Sequence, residues 1–196
     1  MIPDDIGGLH RRSVATFDRL VHAIDAGRWD LATPCAEWTV RDLVNHLTNE
    51  NLWAEALFGG RTIVEVGGAF DGDVLGEDPV AAWEAASRGA LERMGEPDAM
   101  DRLVDLSRGP TPGREYAVEL FADHVMHSWD LAKAIGTDDA LDPALVAAAK
   151  DWFGDVEDAY RAAGSIAERP PVPPDADDQT IFLAMTGRSR DWAPPA

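Results

Sequence analysis

Asp123 and His127 stand four residues apart in a segment dense with Val118, Leu120, Phe121, Val125, Met126 and Trp129. In a helix that spacing sets both side chains on one face, one turn apart. Tyr116, Leu120 and Leu131 share the stripe and are core-type residues. A carboxylate and an imidazole in such surroundings are costly unless they pair with each other or bind an ion. Together they suit zinc, nickel or iron. A hydrogen-bonded pair without any ion satisfies the same requirement. His124 points about 100° away from Asp123 on the helix; it forms an alternative ligand pair with His127 or is exposed. A third ligand has to come from another element. His46, near Val44 and Leu47, sits where a histidine is more often a satisfied core residue than a ligand. His10 and His22 read as surface or packing residues.

The elements that carry these residues follow from apolar periodicity. Val14, Phe17, Leu20, Val21 and Ile24 predict a helix over 6–26, stopped by Gly27. Thr39 with Asp42 forms a capping-box pattern that opens a second helix, which stops at Gly59-Gly60. Residues 61–78 read as a connection, with room for a short strand over 61–66. Pro79 starts a third helix that ends near Met94. A fourth, over 114–135, is apolar on nearly every side and so is central. A fifth opens at Asp142-Pro143 and ends by Gly164. Pro170, Pro171, Pro173 and Pro174 force an extended stretch, followed by a short amphipathic helix over 175–185 that packs back on the rest. The expectation is an all-α fold, a single domain in which 1–164 form the helical bundle and 165–196 a packed tail.

The chain has 196 residues, enough for one domain with a full core, and 45% of them are hydrophobic. Its formal charge of −19 opposes binding to nucleic acid and to anionic membranes. No apolar stretch approaches a membrane span, and the N-terminus has no signal-peptide pattern. Cys35 is the sole cysteine, so no intrachain disulfide forms, which fits a cytoplasmic location.

Three motifs carry a family resemblance. Residues 33–47 read TPCAEWTVRDLVNHL, residues 127–132 read HSWDLA, and residues 185–188 read MTGR with Trp192 shortly after. Together they resemble actinobacterial proteins of the DinB-like superfamily, in the group similar to the metal-binding N-terminal domain of mycothiol-dependent maleylpyruvate isomerase. The resemblance spans nearly the whole chain. It implies a four-helix bundle in up-down-down-up order with an additional helix. It also implies a divalent metal site made of His46, Asp123 and His127, with zinc or nickel foremost as the ion. Three protein ligands leave coordination positions open, the pattern of a catalytic site. The resemblance further implies a mycothiol-dependent transferase or isomerase, with a small thiol and an electrophile as partners, acting as a monomer or homodimer. A metal- or ligand-binding bundle without turnover is the alternative. The sequence departs from the characterised isomerase at two points. That enzyme has Glu at the position of Asp123, and it continues into a C-terminal domain where only residues 165–196 follow here.

Other residues near the motifs read more plainly. Cys35 is expected as a small buried residue in a tight turn, although a helix N-terminus can acidify such a thiol. Glu50, one turn past His46, is expected as a solvated side chain, with a supporting role at the metal as the alternative. Asp130 is expected to orient a neighbouring group. Arg188 and Trp192 cover the site from the tail or serve as packing.

Overall fold

The computed structural model describes residues 1–194; the last two residues of the expected tail lie outside the described part. Among the described residues the fold is mostly helical, with eight helices and one two-stranded hairpin. The first helix, α1 (Ile6–His22), buries Val14, Phe17 and Val21. It ends at His22 rather than running to 26. The capping box opens α2 (Val40–Phe58): the Thr39 side chain accepts from the Asp42 amide and the Asp42 carboxylate accepts from the Thr39 amide. The next segment, with room for a short strand over 61–66, instead forms a single helical turn, α3 (Ile63–Val66). Thr62 and Glu65 close a capping box around it. α4 (Pro79–Met94) is capped by Asp78.

The hairpin β1 (Leu103–Leu106) and β2 (Gly109–Pro112) departs from the all-α expectation. The antiparallel pairing sets Leu103 opposite Pro112 and Leu106 opposite Gly109. It turns the chain directly into α5 (Gly113–Ala134), which lies buried on most of its faces. The expected fifth helix is two helices, α6 (Pro143–Phe153) and α7 (Glu157–Ala162), broken around Gly154. α8 (Asp178–Met185), capped by Asp177, packs on α6. No helix among the described residues is long and apolar enough to cross a membrane.

The core forms around α5. α1 runs along α5, and α2 along α4. Phe17 meets Trp83 at 4.8 Å between ring centroids, and Phe58 stacks on Tyr116 at 5.8 Å. A polar patch crosses this core. His124 Nδ1 donates to the Leu120 carbonyl at 2.7 Å, so its Nε2 accepts from Asn51 at 3.3 Å. Burial, aided by nearby His127 and His46, depresses the His124 pKa to about 4 and keeps the ring neutral.

Gly113 joins the hairpin to the helix that carries the chemistry. Its amide donates to the Arg102 carbonyl at 2.8 Å. A Cβ at this position would stand 2.3 Å from the Ala99 carbonyl oxygen and 2.8 Å from Phe58 Cε1. Backbone on one side and a core ring on the other leave no easy way to yield. Gly113→Ala is therefore expected to lower stability by about 1–3 kcal/mol, read by chemical denaturation; an unchanged midpoint would contradict the close packing.

Candidate metal centre

α2 and α5 bring three expected ligands together. His46 Nε2 stands 2.9 Å from Asp123 Oδ2, and His127 Nε2 stands 3.2 Å from Asp123 Oδ1. The donor atoms of all three lie within 4.8 Å of one another. His46 and Asp123 retain part of their exposure, at 29% and 25% of the side chain, while His127 keeps 3%. The site is therefore open on one side. Trp38 forms part of the frame, with its ring 5.0 Å from His46 and 5.8 Å from His127. A tight turn places it there: Thr33 Oγ1 and the Thr33 amide both donate to the Trp38 carbonyl, and Glu37 takes a left-handed φ of 68°.

A second group of potential ligands, Cys35, His127 and Asp130, lies on the other side of the same imidazole. Arg188 occupies it. Its guanidinium meets both Asp130 oxygens, at 2.9 and 3.3 Å, and Cys35 Sγ at 2.9 Å. His127 Nδ1 donates to Asp130 Oδ2 at 2.9 Å. That bond fixes the imidazole and leaves Nε2 facing His46 and Asp123. Carboxylate support behind a ligating histidine is the usual arrangement in metal sites. His124 takes no part, because its free nitrogen faces Asn51.

The charges of the cluster reinforce one another. Burial alone would lower the His127 pKa, but the Asp123 charge and the bonds to Asp123 and Asp130 hold it well above the ordinary value. Burial alone would raise Asp123, but the charges of His127 and His46 hold it well below the usual carboxylate range. In Asp130, burial is outweighed by Arg188 and His127, so that carboxyl too is depressed.

The three donors open on a cavity of about 760 Å³. Trp38, Tyr116, Trp152, Phe153 and Tyr160 supply aromatic wall, and Gly164 to Ala167 and Thr186 to Arg188 supply the rest from the tail. Glu50 differs from its expected solvated role. It lines the cavity half-buried, and burial, helped by the Asp123 charge, lifts its carboxyl to about 7. Helical spacing places Glu50 one turn from His46 but cannot show that this face looks into a cavity. Arg188 lines the cavity as well, whereas Trp192 does not. His10 is buried packing and His22 is a surface residue bonded to Glu84.

Comparison with known proteins gives the family and the fold. The family described as the mycothiol maleylpyruvate isomerase N-terminal domain matches residues 10–132. Two relatives in Mycobacterium tuberculosis, the uncharacterized proteins Rv0738 and MT0763, are each 32% identical over 191 residues, covering 91% of this chain and 97% of the relative. Among solved structures, a histidine-to-alanine mutant of the mycothiol-dependent maleylpyruvate isomerase shares the fold, with a TM-score of 0.66 at 14% identity. That match covers 96% of this chain and 90% of the other. The matched segment holds more than half of the chain and all three donors, and the chain belongs to the mycothiol maleylpyruvate isomerase N-terminal domain family.

Proposed function

We propose that this protein is a metal-dependent enzyme that uses a low-molecular-weight thiol, mycothiol in this family, to transform a small electrophile. The observation that carries the reading is the convergence of His46, Asp123 and His127 at the mouth of a large cavity. The donor set fits a divalent ion: two imidazole nitrogens and one carboxylate, with ligand bonds of about 2.0–2.2 Å. Two of the three donor separations, 2.9 and 3.2 Å, already suit such bonds. An ion held there supplies Lewis acidity, which favours the thiolate form of a bound thiol.

The remaining chemistry belongs to the chain. Asp130 holds the His127 ring so that Nε2 faces the other donors. Trp38 covers one side of both imidazoles and restricts water there. Glu50, with a carboxyl near neutrality, gives or takes a proton inside the cavity as the electrophile reacts. The aromatic wall takes the apolar part of the substrate.

Metal analysis tests the reading. The purified protein is expected to hold about one zinc or nickel ion per chain, and His46→Ala and His127→Ala to fall to background. Equal, substoichiometric metal in all three sinks the site. With metal bound, loss of mycothiol in the presence of electrophiles supports the enzyme. No loss across a broad panel assigns the chain to the binding-only alternative.

Binding should also depend on pH in a set direction. The raised His127 pKa leaves the metal-free ring protonated at neutral pH, and a ligand must be neutral. Metal binding is therefore expected to release about one proton per ion, with affinity rising about tenfold per pH unit until the raised pKa is passed. Calorimetry in buffers of different ionisation enthalpy reads this; binding without proton release would contradict it. Glu50→Gln is expected to keep its metal and to lose the limb of the kcat profile near pH 7. An unchanged profile would remove Glu50 from proton transfer.

A further inference from the structure

The charges around the cavity are matched within the chain, and that limits what the cavity can accept. Arg188 is the one Arg or Lys among the described lining residues. Its guanidinium is already engaged by Asp130, Cys35 and the Thr186 carbonyl. Glu119 is held by Arg108 at 2.6 and 3.3 Å. His46 and His127 share Asp123. The amides of Gly164, Ser165, Gly187 and Arg188 bond to carbonyls of their own turns, so the donors left on the wall are neutral ones. Glu50 is the acid left over, with only the two imidazoles of the site acting against its charge.

We propose that the cavity selects an uncharged electrophile with an apolar or aromatic face and rejects substrates that carry carboxylate or phosphate groups. This rests on the thiol-dependent reading above. With a divalent ion and a thiolate in place, the two positive charges are balanced by Asp123 and by the sulfur. No positive charge is left to compensate a substrate anion. An anion entering this space would lose its water and meet only neutral donors, such as the Tyr160 and Ser165 hydroxyls, beside the carboxyl of Glu50. Trp38, Trp152, Phe153 and Tyr160 offer instead the flat apolar surfaces that hold an uncharged ring or chain.

A pair of probes with one skeleton and different charge separates the outcomes. Phthalate and dimethyl phthalate are titrated into the full chain incubated with equimolar zinc and saturating mycothiol. Quenching of tryptophan fluorescence reports binding, because Trp38 and Trp152 line the cavity. The diester is expected to bind at least about tenfold more tightly than the dianion. In Ile166→Arg, which adds an unpaired cation to the wall, the ratio is expected to fall or reverse. Equal or tighter binding of phthalate to the unaltered chain overturns the proposal, and so does failure of both probes to bind. Zinc stoichiometry is measured on the same samples. Diester preference without bound zinc refutes the metal reading and leaves the selectivity standing; normal zinc with phthalate preference does the reverse.

Discussion

The site depends on one carboxylate that water never reaches. Asp130 is fully buried and receives His127 Nδ1 on one oxygen and the Arg188 guanidinium on both. A buried acid without partners would be costly, as would a buried arginine. Each is tolerated because of the other. The pair joins the C-terminal part of α5 to the turn that follows α8. Cys35 completes the contact from the loop ahead of α2, with its sulfur against the same guanidinium. Three stretches distant in sequence are thereby tied to the imidazole that faces the cavity.

That tie explains why two overlapping ligand groups do not compete. His127 belongs to both, but its Nδ1 is committed to Asp130, and Arg188 fills the space beside Cys35. Only Nε2 is left to act, and it faces His46 and Asp123. The chain uses a cation of its own on one side of the ring and keeps donors free on the other. The His124–Asn51 contact does similar work deeper in α5, removing a third histidine from the chemistry by giving its free nitrogen a partner.

Much of this was legible in the residues, for identifiable reasons. Local signals survived folding: the Thr39–Asp42 box, Pro79 at the first position of its helix, and Pro143 behind Asp142 all sit where helix starts were expected. The Asp123–His127 pairing is a helical-spacing fact and was equally readable. His46 was not readable from spacing, because its partner lies 77 positions away on another helix; the family motifs supplied it. The hairpin escaped notice because Gly109, Pro110, Thr111 and Pro112 lack the alternation of a strand. Glu50 looked solvated because a single helix does not reveal which of its polar faces borders a cavity. For Arg188 the motif left cover of the site and plain packing both open, because its pairing with Asp130 spans 58 positions and leaves no local trace.

Donors and walls come from different kinds of structure. The donors sit on α2 and α5, whereas much of the wall is drawn from the segment after α7 and the turn after α8. The two wall pieces meet at Gly187, where φ is left-handed at 79° and a Cβ would stand within 2.9 Å of the Ala167 backbone, leaving no space for a side chain. That glycine acts as a seam. Substitutions at Ser165 and Ile166 can reshape the pocket without disturbing the helices, so descendants of this chain can exchange one substrate for another while inheriting the chemistry intact.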